Sequence, residues 1–180
     1  MLCVTVFFVF CFPDHDWEEL YGPPLITSFV LHLHLGSCTS EVIQALPFLK
    51  KAYGSVMQKV LHVGPDSCTV VSNLLKEGKE AWGVEPYDLD DADSSCKSLV
   101  RKGFVRLSDI KFSLPYRPDS FNLVVVSDAL DYLTPRYLNK TLPDLARVST
   151  DGLVIFTGMS FSFHFGIFTS FSLGGPLFYV

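Results

Sequence analysis

Between Lys59 and Gly158 the chain alternates short apolar β-type runs with amphipathic helical ones, and this order restricts the fold more than any other feature. Neighbouring parallel strands need a crossover of a dozen or more residues, usually a right-handed helix. The alternation therefore predicts an α/β domain with a doubly wound, mostly parallel sheet. Its first strand, Lys59-Val-Leu-His-Val63, ends at the turn Gly64-Pro65-Asp66. The second, Glu80 to Val84, ends on Glu85, and the third, Phe104 to Leu107, has Asp109 just past it. The fourth, Phe121 to Val126, is followed by Asp128, and the fifth runs from Gly152 to Thr157. Sheets of this kind bind ligands outside the carboxyl ends of their strands, where Gly64, Glu85, Asp109 and Asp128 all fall. A carboxylate about 20 residues past a glycine turn suits a ribose-bearing cofactor.

The helical runs carry their own signals. Val42, Ile43, Leu46, Leu49 and Tyr53 recur at helical spacing, with a kink expected at Pro47 and a stop at Gly54. Asp66 is placed to cap the next helix, whose apolar face is Val70, Val71, Leu74 and Leu75 and which ends at Gly78. Asp90 to Asp93 put negative charge on the first turn of another helix, and Arg101-Lys102-Gly103 close it with cations. Thr134-Pro135 opens the helix before the fifth strand.

Composition narrows the partners. Net charge is −5 with no run of Lys or Arg, so a nucleic-acid partner, which normally needs a basic face, is disfavoured. Cys3, Cys11, Cys38, Cys68 and Cys96 are odd in number and never in C-x-x-C spacing. Buried free thiols are expected from them, with neither a disulfide framework nor a zinc site. His32 and His34 share one strand face but lack a third ligand, so no metal is expected. His62, inside the first strand, reads as a core residue.

The two ends look unlike the middle. Met1 to Phe12 is too short to span a bilayer and lacks the positive flank of a signal peptide. Residues 1–38 are expected to be an atypical apolar segment of low order, and residues 159–180 a Phe/Ser-rich apolar tail. The tail holds six phenylalanines and no Lys, Arg, Asp or Glu. Residues 39–158 are left as the domain.

Several phrases within that domain are specific. Leu114 to Leu133 and Leu142 to Val148, the latter followed by Asp151-Gly152, resemble the segments around strands four and five of class I S-adenosylmethionine-dependent methyltransferases. Lys59-Val-Leu-His-Val-Gly-Pro-Asp66, Ala81-Trp-Gly-Val-Glu-Pro-Tyr-Asp88 and Ser127-Asp-Ala-Leu-Asp-Tyr-Leu133 resemble, more narrowly, the plant cotton-Golgi-related family. That resemblance implies a Rossmann-like methyltransferase fold, S-adenosylmethionine as cofactor, and methyl-esterification of the pectin backbone homogalacturonan in the Golgi. It also implies association with Golgi membranes or with related wall-biosynthesis enzymes. Carried onto this chain, Gly64 would let the backbone approach the methionine part of the cofactor, with Asp66 in the same loop. Glu85 would hold the ribose hydroxyls, Asp109 would lie near the adenine amino group, and Asp128 would stand where donor and acceptor meet. Arg117, Lys111 and Arg136, expected near the carboxyl ends of strands three and four, would hold the polyuronide; Arg117 joins Asp128 as a catalytic candidate.

Two departures from the family pattern stand out. Pro65, Asp66 and Ser67 follow Gly64 where further glycines are usual, and the resemblance stops after strand five, so a sheet cut short there is expected. A catalytically silent methyltransferase-like partner or regulatory domain is the alternative reading. A dinucleotide oxidoreductase fragment is disfavoured, because no G-x-G-x-x-G follows the first strand. Asn139-Lys140-Thr141 is a glycosylation sequon, with meaning only in a luminal domain.

Overall fold

A strand covered on both faces reads as a nearly unbroken apolar run. Two segments do so. Lys59–Val63 (β3) is buried beyond its first residue, and Phe121–Ser127 (β6) is buried except at Asn122. They lie side by side in the middle of the sheet, in parallel register from Val60↔Leu123 to Val63↔Val126.

The computed structural model describes residues 2–11, 34–35, 38–89 and 92–158. Around the central pair lie Glu80–Glu85 (β4), Val105–Leu107 (β5) and Ser149–Gly158 (β7), with Leu2–Cys11 (β1) and His34–Leu35 (β2) at one edge. The sheet order is β2-β1-β7-β6-β3-β4-β5. The five strands from β5 to β7 are mutually parallel, while β1 runs antiparallel to β7 and β2 antiparallel to β1. The helices are Thr39–Tyr53 (α1), Ser67–Lys76 (α2), Ser94–Arg101 (α3) and Pro135–Arg147 (α4).

Alternation along the strands sends side chains to two separate cores. Val60, Leu123, Val125 and Val154 face one layer, where Val42, Leu46 and Leu49 of α1 meet Val70, Val71 and Leu74 of α2. Leu61, Val63, Val124 and Val126 face the other, filled by Leu138, Leu142 and Leu145 of α4. Each fully buried leucine or valine contributes roughly 1.5–3 kcal/mol. The result is the doubly wound, Rossmann-like α/β architecture expected from the alternation.

Several local expectations change. Asp66 occupies the position before α2, but its backbone is left-handed (φ 57°) and its side chain makes no cap bond. Asp93, by contrast, does cap α3, accepting from the Cys96 amide at 2.7 Å. Asp90 and Asp91 lie outside the described residues, as do His32 and residues 159–180. Leu2–Cys11, which the sequence sets outside the domain, pairs with β7 from Cys3↔Gly158 to Cys11↔Gly152. β7 therefore has a neighbour on each side.

The cysteine reading is corrected. Cys68 and Cys96 form a disulfide, with Cα atoms 5.2 Å apart, and Cys38 is disulfide-bonded too. The cause is topological. α2 follows β3 and α3 follows β4, so the first turns of both helices stand at the same end of the sheet. That places residues 28 positions apart within bonding reach.

Candidate functional site

The chain runs outward from β3 to β4 to β5 on one side, and through β6 to β7 on the other. Strand order thus reverses between β3 and β6, and the crevice at their carboxyl ends is the expected ligand position. Three carboxylates stand there: Asp66 after β3, Glu85 at the end of β4 and Asp128 after β6.

Gly64 has a different role from the one expected. Its φ is 154°, and an added Cβ would collide with the Ser127 carbonyl oxygen and lie 2.6 Å from Ser127 Oγ. The space a side chain would need is filled by the neighbouring strand rather than opened to a ligand. Gly64 N–H also donates to the Val84 carbonyl at 3.0 Å, so the turn is clamped between β4 and β6.

His62 ties the same elements together beneath the turn. The single Ser67 hydroxyl proton lies between the carbonyls of Gly64 (2.8 Å) and Val84 (3.0 Å), which leaves Oγ to accept from His62 Nδ1–H, at 2.8 Å. His62 Nε2 is then the acceptor for the Ser127 hydroxyl, at 3.0 Å. Complete burial holds the imidazole neutral, with its pKa pushed down to about 3. The sequence marks His62 as core; its place in a fixed hydrogen-bond chain between β4 and β6 was not legible.

The carboxylates are strained, buried or both. Asp66 and Asp128 (φ 53°) are two of the three described non-glycine residues with positive φ. Such conformations cost on the order of 1–3 kcal/mol and concentrate where surrounding structure enforces them for function. Asp128 is 3% exposed, and its Oδ2 accepts from the Cys38 amide. Glu85, also 3% exposed, accepts from the Ser67 amide at 3.1 Å through Oε2. Burial pushes Glu85 up to about 7, with Asp66 adding to it. Burial pushes Asp128 up to about 6, with Asp131, Glu41 and Asp66 adding. Every charge that perturbs either group is negative. The crevice is thus suited to a cationic ligand bearing hydroxyls.

These shifts fix a pH dependence. Both carboxyls hold protons more readily folded than unfolded, so their contribution to stability grows as pH falls from about 7 toward 4 and is lost as pH rises through 6–7. The ligand-free protein should melt on the order of 5 °C higher at about pH 5 than at about pH 8. Calorimetry over that range checks it, and an equal or higher melting temperature at the alkaline end contradicts it.

The remaining candidates divide. Asp109 is exposed beyond β5, and its carboxylate accepts from the Lys111 amide at 3.0 Å and faces Lys111 Nζ at 3.8 Å. It lies two residues past Leu107, which pairs with Glu85, so it belongs to the same rim. Lys111 Nζ is 5.7 Å from the Tyr137 ring centroid, and Arg136 is exposed in the first turn of α4; both stand on the crevice side.

Arg117 does not. The loop from β5 crosses back before it, and Asp119 N–H donates to the carbonyl of Arg147 at the far end of α4. Arg117 therefore precedes the amino end of β6, separated from Asp128 by the strand's length, roughly 20 Å. It is removed from the catalytic candidates.

Two aromatic residues were missed. Tyr87 and Tyr132 form an edge-to-face pair, centroids 5.8 Å apart, and remain 43% and 58% exposed. Burial raises Tyr87 to about 12, helped by Tyr132, Asp128 and Glu85. A signal existed: each tyrosine closely follows a strand-end acid, Glu85 or Asp128. Beside the edge strand β5 an open groove of about 480 Å³ is lined by Leu89, Val100 and Leu107, with Asp88, Lys97 and Arg101.

Two curated proteins of Arabidopsis thaliana match the chain. "Probable pectin methylesterase CGR2" is 70% identical over 124 residues, 68% of this chain and 48% of that protein. "Probable pectin methylesterase CGR3" is 68% identical over 123 residues, with the same shares. Over that shared part the chain is homologous to these cotton-Golgi-related proteins. It spans about half the length of these curated cotton-Golgi-related relatives. No protein-family model matches. Among solved structures, "Crystal structure of PH0226 protein from Pyrococcus horikoshii OT3" superposes with a TM-score of 0.51 at 21% identity. It covers 64% of this chain and 56% of that one, a likeness of fold.

Proposed function

We propose that this cotton-Golgi-related domain binds S-adenosylmethionine and, within the whole protein, methyl-esterifies homogalacturonan carboxylates in the Golgi. The observation that carries this reading is the convergence of Asp66, Glu85 and Asp128 at the reversal of strand order, with only acidic groups perturbing one another there. The cofactor, when bound, supplies an electrophilic methyl on a sulfonium cation. Glu85 is placed to hold a vicinal diol, and the apolar walls Leu89, Val100 and Leu107 suit a nucleoside base beyond it. Asp66 and Asp128 face the positive charges of such a ligand.

The acceptor requires little chemistry from the protein. A uronate carboxyl titrates near pH 4, so it is already ionised and needs no general base. This agrees with the neutral, fully bonded state of His62. The protein's task is to hold the two reactants in line, worth up to roughly 7–11 kcal/mol in well-oriented systems. Lys111 and Arg136 are the cations placed to meet a polyanion. Association with Golgi membranes or with related wall-biosynthesis enzymes belongs to the same proposal. Among the described residues no helix is long and apolar enough to cross a membrane.

The relatives' names state the opposite direction, removal of the methyl ester, and this is the second reading. A silent, partner-type domain is a third, favoured by Pro65 and Asp66 in the turn after β3. One set of assays separates them. Calorimetric titration with S-adenosylmethionine should show binding that weakens about 10- to 100-fold in Glu85→Ala, the worth of a buried charged hydrogen bond. Affinity should rise with pH as Glu85 and Asp128 ionise. Labelled methyl should pass to polygalacturonate. Methanol release from methylated pectin without methyl transfer would establish the esterase reading, and no binding by either protein the silent one.

A further inference from the structure

We propose that Asn139 is an N-glycosylation site, modified as the chain enters the lumen of the secretory pathway. The inference stands on three observations that methyl transfer does not use. First, Asn139-Lys140-Thr141 satisfies the acceptor rule, with no proline at the middle position. Second, α4 turns Leu138, Thr141, Leu142 and Leu145 inward and leaves Asn139 and Lys140 exposed, so a glycan on Asn139 displaces no core contact. Third, Cys68 and Cys96 are joined and Cys38 is also disulfide-bonded. Disulfides persist in oxidising compartments and are rare where glutathione keeps thiols reduced, so this domain folds where glycan transfer takes place.

Thr141 sets the order of events. In the folded domain it is 3% exposed, and its Oγ1 donates to the Ile110 carbonyl at 2.9 Å. A transferase that must reach this hydroxyl therefore acts before α4 docks on the loop after β5. In the transfer, Asn139 Nδ2 attacks the anomeric carbon of an oligosaccharide carried on a polyprenyl diphosphate. A C–N bond forms, the bond from that carbon to the diphosphate oxygen breaks, and the lipid diphosphate leaves with the electron pair. Nδ2 gives up one proton to a base of the transferase, and nothing is oxidised or reduced.

The same Thr141 hydroxyl has a structural use, so a coincidental sequon is the competing explanation, and the experiment separates the two. The full chain and its Asn139→Gln variant are expressed in plant cells and treated with a peptide-N-glycosidase. A non-reduced peptide map of the wild type reads the Cys68–Cys96 link in parallel. The wild type should lose mass on treatment, shown as one discrete step on a gel and as Asn139 converted to Asp. Asn139→Gln should migrate at the deglycosylated position with and without enzyme, and the cross-linked peptide should be present. An unshifted wild type with the cross-link intact overturns the proposal by showing a luminal domain left unmodified. An unshifted wild type with free Cys68 and Cys96 overturns it by placing the domain outside the lumen.

Discussion

Replacing Gly64 by alanine is expected to leave no stably folded domain. The new methyl would overlap the Ser127 carbonyl, which cannot withdraw because β6 is paired on both sides, to β3 and to β7. The glycine's own φ of 154° adds backbone strain for any residue with a Cβ. Overpacking of a rigid site and loss of a special backbone conformation together place the cost at about 4 kcal/mol or more, a large share of the usual 5–15 kcal/mol of stability. The variant should be insoluble or lack a cooperative melting transition. A soluble Gly64→Ala protein melting within a few degrees of wild type would show that the turn can move aside.

The second large effect belongs to the Cys68–Cys96 link. Closing a loop of 28 residues removes chain entropy from the unfolded state worth about 3.5 kcal/mol. The paired variant Cys68→Ala, Cys96→Ala should therefore melt roughly 10 °C below wild type under non-reducing conditions. Because Cys38 is bonded as well, reduction of the wild type should cost at least as much. The link also fixes the start of α2, where the Ser67 amide meets Glu85, so ligand affinity should fall along with stability. Unchanged melting on its removal would mean that the two helices are held by packing alone.

Sequence patterning made the centre of this fold readable and its corners much less so. β3, β4 and β6 could be placed almost to the residue, because strands buried on both faces carry an unbroken apolar signal that few other structures share. Glu85 and Asp128 followed as strand-end acids. Arg117 was misplaced for a physical reason. The loop between β5 and β6 starts at one end of the sheet and finishes at the other, and nothing in residues 108–120 marks the crossing. Asp66 was misread because capping propensity assumes an extended backbone before the helix, whereas its φ is left-handed. The Cys68–Cys96 pair was hidden because sequence spacing carries no trace of two helices starting on the same side of a sheet. For Gly64, the sequence marked a glycine that something must approach closely, without saying that the approaching group was Ser127.

The position of β1 has a bearing on how this chain reaches its native state. Its partner in the sheet is β7, and Cys3 meets Gly158 at the far end of the described chain. At synthesis rates of about 5–20 residues per second, this apolar ten-residue strand emerges roughly 7–30 s before β7 exists. During that interval the β1 backbone groups that will face β7 lack their native partner, although β2 can pair along the other edge and β3, β4 and β5 can already assemble. The pairing most exposed to competition from other chains is therefore that of β1 with β7, which must wait for the later strand to be made.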